Sequence, residues 1–169
     1  MSNTRTYLPV AVRDGSNIEA RTKLAWASTE AGICESLSCC ISHHSMEHAV
    51  SACFPEVPHG AGLTMLSIAY FSYLAERNPS RFPDLAKAMG ECTEGFSEKD
   101  QAMAFIAGLK KLIKSIGLDQ HKLSSFGIQR TDLRKLAENA FHTMGKLFAI
   151  TPVKLTLDDA TAIYERAYA

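Results

Sequence analysis

The sequence has no hydrophobic run long enough to cross a bilayer. The longest apolar stretch, residues 61–75, is interrupted by one threonine and two serines, whereas a membrane-spanning helix needs about 20 apolar residues. The first six residues are polar, and the apolar stretch behind them contains Pro9, so we expect no signal peptide. These absences predict a cytoplasmic protein with no membrane partner.

The sequence also lacks an excess of charge of either sign. Its 169 residues include 18 Lys and Arg and 18 Asp and Glu, which gives a formal net charge of zero. This balance removes the electrostatic attraction that binds proteins to nucleic acid. We therefore expect no nucleic-acid partner, and weak self-repulsion between copies near neutral pH.

The cysteines form no recognisable motif. There are five of them, an odd number, and no C-x-x-C pair occurs. This pattern excludes a zinc ribbon or a thioredoxin motif and argues against a disulfide scaffold. Since most of the cysteines have apolar neighbours in the sequence, we expect small, buried, reduced thiols.

No window of four or more residues alternates between apolar and polar cleanly enough to predict a strand. Apolar residues recur at helical spacing instead, and candidate N-terminal caps precede four such segments at Ser16–Glu19, Ser97, Thr131–Asp132 and Thr156. Residues 60–76 are apolar nearly all round, which predicts a buried central helix. The pattern as a whole predicts an all-α fold made of one multi-helix domain.

Four of the six histidines fall between positions 43 and 59. His44 and His48 are four residues apart, a spacing that places both rings on one face of a helix. His59 follows a loop that contains two prolines, so two consecutive elements can bring these three imidazoles together. Imidazole is a ligand for iron, zinc, copper and nickel. The cluster predicts a metal site, although an H-x-x-x-H pair is also common among ordinary surface histidines.

Three further residues are expected to take no part in the cluster. Glu47 lies one residue before His48 and should point away from the face that His44 and His48 share. His43 is nearly perpendicular to His44 and is expected at the surface or at the boundary of the core. His142 is expected to be a partly exposed helical residue.

Residues 44–63, HSMEHAVSACFPEVPHGAGL, resemble the signature of the iron-containing alcohol dehydrogenases, in which an H-x-x-x-H helix is followed by a short loop and Pro-His-Gly. Residues 8–15 resemble the segment that precedes this region, and residues 155–165 resemble the closing helix. The resemblance implies the C-terminal helical domain of a dehydroquinate synthase-like fold. We expect a lead-in segment over residues 1–15 and a helical metal-binding domain over residues 16–169.

The resemblance also implies roles for the histidines. His44 and His59 match two ligands of a divalent metal, Fe(II) or zinc, and His48 matches a catalytic histidine that relays a proton near the substrate. The other two ligands of the family, an Asp and a His four residues later, have no counterpart, because no D-x-x-x-H precedes residue 44. No strand-led G-x-G-x-x-G is present either.

We therefore expect NAD or NADP to be bound mainly by a nucleotide-binding domain that is absent here, and the isolated chain to be inactive. The intact enzyme would interconvert a small alcohol and an aldehyde or ketone, as a homo-oligomer. Two alternatives remain open. One is a non-catalytic helical module or remnant that acts in oligomer assembly. The other is a histidine-rich metal carrier, which would need more carboxylates facing His44.

Overall fold

The computed structural model describes residues 1–169 and contains eight α-helices and no strand, which confirms the all-α prediction. The helices are α1 (Ser2–Arg13), α2 (Ile18–Leu37), α3 (Ser42–Cys53), α4 (His59–Arg77), α5 (Phe82–Ala88), α6 (Glu98–Ser115), α7 (Leu133–Ala149) and α8 (Leu157–Tyr168). Short 3₁₀ helices span Pro79–Arg81, Leu123–Phe126 and Arg130–Asp132. None of the eight α-helices combines the length and the apolar character that a bilayer crossing requires.

The helices form two compact units, of which the first contains α1, α2, α5 and α6. In this unit α1 packs against α2, and α5 packs against α6. The rings of Phe82 and Phe105 meet in its core at a centroid distance of 5.6 Å. Helix α2 buries only Ala20. The expected lead-in, residues 1–15, consists mostly of α1, and its boundary with a domain over residues 16–169 stays a prediction.

The second unit contains α3, α4, α7 and α8. Helix α3 packs against α4 and α7, and α8 packs against the same two helices. Helix α4 was expected to be buried on all sides. It buries eight of its 19 residues, so only one face of the helix is covered. The large side chains in the core of this unit are Met46, Leu66, Tyr70, Leu123, Ile128, Leu133, Leu136, Ile163 and Tyr164.

Two of the four predicted helix caps are present, whereas at the start of α7 the side chain of Asp132 makes no capping hydrogen bond. At the start of α8, Thr156 Oγ1 accepts from the Asp159 amide at 3.2 Å while Asp159 Oδ2 accepts from the Thr156 amide at 2.9 Å. At the start of α6, Ser97 Oγ accepts from the Asp100 amide at 3.2 Å. Each cap satisfies amide donors that the first helical turn leaves without partners.

The predicted cap of α2 is wrong by one residue. Asn17 is the N-terminal cap, and its Oδ1 accepts from the Ala20 amide at 2.9 Å. Ser16 instead donates its hydroxyl to Asp14 Oδ1 at 2.6 Å. Asn is as good a capping residue as Ser, so the one closer to the helical segment takes the position.

The expectation that the cysteines are buried is also wrong. Cys34, Cys39, Cys53 and Cys92 are exposed, Cys40 is half-buried, and all five are free. Cys39 and Cys40 lie between α2 and α3, and Cys53 is the last residue of α3. Apolar neighbours in the sequence therefore did not indicate burial. The exposure of each cysteine depends on which side of its helix or loop it occupies, and its neighbours along the chain do not determine that side.

A buried hydrogen bond connects α8 to α3 and gives the first prediction. Tyr164 donates its hydroxyl to the Met46 carbonyl at 2.6 Å, and burial raises the pKa of this phenol well above its ordinary value. Tyr164→Phe should lower the free energy of unfolding by about 1–1.5 kcal/mol, measured by chemical denaturation. Tyr7→Phe, which removes an exposed bond to Glu19, is the control, and an equal loss in both variants would contradict this account.

Candidate metal centre

The start of α3 is fixed by buried hydroxyl groups. The Ser42 amide donates to Thr151 Oγ1 at 3.0 Å, and Ser42 Oγ lies 2.7 Å from the Tyr70 hydroxyl. Thr151, which follows α7, also lies 2.7 Å from the Leu147 carbonyl. These bonds join the first turn of α3 to α4 and to the end of α7, and so set the position of the histidines that follow.

His43 is buried, which corrects the expectation of a surface or boundary residue. Its Nε2 lies 3.1 Å from the Leu63 carbonyl, and its ring packs against Tyr70 and Phe71 at centroid distances of 4.8 and 5.1 Å. Burial, together with the neighbouring His44, lowers the pKa of His43 to about 4. The ring therefore serves as a neutral donor in the core.

The structure brings His44, His48 and His59 together. Their ring centroids are 6.1 Å apart for His44 and His48, 5.6 Å for His44 and His59, and 5.3 Å for His48 and His59. Helix α3 supplies the first two at i and i+4, while His59 is the first residue of α4, directly after Pro58. The spacing thus predicted the cluster correctly, and the chemical roles of the three rings stay predictions.

Glu47 joins this cluster, contrary to the expectation that it points away. Its side chain is fully buried, Oε2 contacts Nδ1 of His59, and Oε1 accepts from the Ser51 hydroxyl. At about 100° per residue, position 47 lies roughly 60° from His44 around α3. The period of α3 alone places Glu47 off the face that His44 and His48 share, and it gives no information about the helix that begins at His59, which the carboxylate contacts.

Gly62 provides the space for this carboxylate. A Cβ atom at position 62 would lie 2.7 Å from Oε1 and 2.9 Å from Cγ of Glu47, whereas a Cβ atom at Gly60 would meet nothing within 4 Å. Glycine is used where another group must approach the backbone closely. The signal available in the sequence was a Gly-x-Gly directly after His59, which could have indicated such an approach.

A kink in α7 lies beside the cluster. Met144 has non-helical torsion angles of φ −134° and ψ 35°, its carbonyl accepts from Ser45 Oγ at 3.1 Å, and its Sδ lies 3.0 Å from Nδ1 of His48. A side chain that inserts into the backbone ladder is a recognised cause of helix kinks. His142, two residues earlier, is exposed, as expected.

The donor set fits a divalent transition metal. Ligand atoms of Glu47, His48 and His59 all lie within 4.8 Å of one another, a group that shares only His59 with the ligand pair that the resemblance implies, His44 and His59. Imidazole suits Fe(II) and zinc. Metal-ligating histidines almost always hold their second ring nitrogen against a carboxylate, a carbonyl or water. The contact between His59 Nδ1 and Glu47 is an arrangement of this kind, and it leaves Nε2 available to bind a metal.

Known proteins resemble this chain over nearly its whole length. A sequence model described as the Fe-containing alcohol dehydrogenase family, C-terminal, matches residues 2–168. The 1,3-propanediol dehydrogenase of Klebsiella pneumoniae is 33% identical over 94% of this chain. The NAD-dependent methanol dehydrogenase of Bacillus methanolicus is 31% identical over 80% of it. The chain spans 40% and 35% of these two relatives' own lengths.

Solved structures agree with the sequence comparison. An archaeal halo-thermophilic alcohol dehydrogenase from a Red Sea brine pool superposes with a TM-score of 0.93 at 29% identity, over 98% of this chain and 42% of its own. A 1,3-propanediol oxidoreductase gives a TM-score of 0.91 at 31% identity, over 99% of this chain and 43% of its own. Both likenesses cover the histidine-bearing helices of this chain.

The two glycines of the Gly-x-Gly offer a matched pair of substitutions. Gly62→Ala should lower the free energy of unfolding by about 1–3 kcal/mol, because the new methyl group overpacks the site against Glu47. Gly60→Ala should be neutral or stabilise by up to about 1 kcal/mol, since alanine favours helix more than glycine does. Urea denaturation measures both. Equal stability of the two variants would show that Glu47 does not occupy this space.

Proposed function

Because this chain belongs to the Fe-containing alcohol dehydrogenase family and matches the C-terminal part of its members, we propose that it forms the metal-binding part of an NAD- or NADP-dependent dehydrogenase. The enzyme would interconvert a small alcohol and an aldehyde or ketone. The observation that carries the proposal is the cluster of three imidazoles with centroids 5.3–6.1 Å apart. Since the chain spans about 40% of its relatives, the activity of a whole enzyme is part of the proposal.

His44 and His59 are the proposed ligands, and Fe(II) or zinc is the proposed metal. When bound, the divalent cation acts as a Lewis acid on the substrate oxygen. His59 is held at the start of α4 by Glu47, and His44 is held on α3, whose first turn is fixed by Ser42. The chain thus presents both imidazoles from anchored elements.

His48 is the proposed proton relay. Its side chain is exposed, and imidazole can both accept and donate a proton near neutral pH. Nδ1 of His48 lies against the sulfur of Met144, which leaves Nε2 to exchange a proton between substrate and water. This assignment makes His48 a catalytic residue rather than a ligand.

The nucleotide cofactor would be bound mainly by another part of the enzyme. All eight elements of regular structure longer than one turn are α-helices, whereas the dinucleotide-binding fold is built on a parallel sheet. One relative is named as NAD-dependent, which supports a nicotinamide cofactor. The isolated chain should therefore have no turnover, and the cytoplasmic location expected from the sequence stays a prediction.

Metal content and turnover of the complete gene product, including any sequence encoded upstream of Met1, test this proposal. After loading with Fe(II) or zinc, the protein should oxidise short alcohols with NAD or NADP. His44→Ala should remove most of the bound metal and the activity together, since it removes a ligand. His48→Ala should keep the metal and lower kcat by about 10²–10⁴, the usual contribution of general acid–base catalysis.

Mass spectrometry of the purified protein gives the metal content, and nicotinamide absorbance gives the rate. His44→Ala is a cleaner variant than His59→Ala, because the second also leaves the buried Glu47 without its partner. Dehydrogenase activity of the 169-residue chain alone would contradict the proposal. So would a stop codon immediately upstream of Met1. Stoichiometric, chelator-resistant metal in the 169-residue chain would contradict a separate expectation, that two histidine ligands without the D-x-x-x-H pair bind metal weakly or not at all.

An assembly role is the second candidate, and the exposed side of α2 favours it. Ile18, Trp26 and Leu37 are 76%, 56% and 83% exposed, and Ile33 is exposed as well. At 3.6 residues per turn these four positions fall within an arc of about 100°, which also contains Glu19, Thr22, Thr29 and Ser36. An exposed apolar stripe of this kind is typical of a surface that another protein covers.

Light scattering on the 169-residue chain tests the assembly role. The chain should form dimers or larger oligomers at micromolar concentration, and Trp26→Glu should raise the dissociation constant at least tenfold, because it places a charge in the apolar stripe. Ser28→Glu, on another side of α2, is the control. A monomer at all concentrations, or equal effects of both substitutions, would contradict a homo-oligomer formed through α2.

A further inference from the structure

Glu47 is a fully buried carboxylate beside a half-exposed imidazole. The side chain of Glu47 is 0% exposed and that of His59 is 50% exposed. Burying a carboxylate is costly unless hydrogen bonds or charges compensate for the lost water. Both oxygens of Glu47 have such a partner, Oε2 at His59 Nδ1 and Oε1 at the Ser51 hydroxyl. The energetic cost of burying the Glu47 carboxylate is therefore compensated by these two contacts, which fix its position.

We propose that Glu47 is a positioning residue, which holds His59 in the Nδ1–H tautomer so that the lone pair of Nε2 is presented to a metal. The part of this inference that concerns the metal rests on the proposed function, whereas the part that concerns the tautomer of His59 does not. A neutral imidazole has one N–H and one lone pair, and the hydrogen bond made by one nitrogen decides which form is present. A carboxylate accepts hydrogen bonds, so it fixes the proton on Nδ1 of His59.

Glu47 acts through His59 rather than as a ligand itself. Its two oxygens are already engaged by His59 and Ser51, and no part of its surface is accessible. Gly62 completes the arrangement, because a side chain there would overlap the carboxylate. Gly62 of α4 thus leaves the space that the Glu47 carboxylate of α3 occupies, so the two residues act together.

The histidine tautomers of the 169-residue chain test this inference without any metal. Long-range ¹H–¹⁵N correlation spectra of ¹⁵N-histidine-labelled protein distinguish the Nδ1–H form from the Nε2–H form. His59 should be in the Nδ1–H form in the wild type and in Glu47→Gln, whose amide oxygen can still accept from Nδ1. In Glu47→Leu it should change to the Nε2–H form that imidazole favours in water.

Glu56→Leu, which removes an exposed acid from the loop before Pro58, is the matched control and should leave His59 unchanged. A role of Glu47 in folding alone would not move the tautomer, so persistence of Nδ1–H in Glu47→Leu would overturn the inference. If Glu47→Leu does not fold, Gly62→Ala takes its place, with Gly60→Ala as the control. Gly62→Ala displaces the carboxylate and should give the same change of tautomer.

Zinc affinity of the complete gene product gives the second readout, by competition with a chromophoric chelator. Glu47→Leu should raise the Kd for Zn²⁺ by about 10–100-fold, the usual effect of removing the partner of a ligating histidine, and Glu47→Gln should raise it less. Loss of Zn²⁺ binding in His44→Ala together with an unchanged Kd in Glu47→Leu would overturn the inference. If the wild type binds no Zn²⁺, the proposed function fails, and the tautomer spectra still decide the role of Glu47.

Discussion

The contact between Glu47 and His59 is the constraint on which the candidate site depends. A carboxylate that leaves water must find partners, and its cost is several kcal/mol when it finds none. In this chain one partner is Ser51, on the same helix, and the other is the first residue of α4. The start of α4 must therefore lie against α3, which places His59 beside His44 and His48.

Hydrogen bonds connect α3 to the segments of α4, α7 and α8, the other three helices of its unit. Ser42 is bonded to the residue that follows α7 and to Tyr70 of α4, Ser45 to the kink of α7, and Met46 to Tyr164 of α8. No buried side-chain nitrogen or oxygen lacks a partner, so this network adds rigidity without an unpaired group. The helix that carries two of the three clustered imidazoles is thus fixed by bonds that its own sequence supplies.

The sequence was sufficient for most features that depend on one element or on a short loop, although not for the caps of α2 and α7. The i and i+4 spacing of His44 and His48, the cap at Thr156 and the helical period all lie within one helix, and each was predicted correctly. Glu47 was missed because its partner His59 belongs to another helix, and the angle between two helices cannot be obtained from the period of either. The cysteines were predicted wrongly for a related reason, since apolar neighbours along the chain do not state which face is covered.

Burial places His43, His48 and His59 in three different environments. His43 is buried, is held by a backbone carbonyl and has a pKa lowered to about 4, so its ring is neutral near neutral pH. His48 is exposed to solvent. His59 lies between these extremes, since one ring nitrogen faces a buried acid and its side chain is half-exposed. A ligating histidine must be oriented and accessible at one nitrogen, and the His59 ring meets both conditions through its contact with Glu47 and its half-exposed side chain.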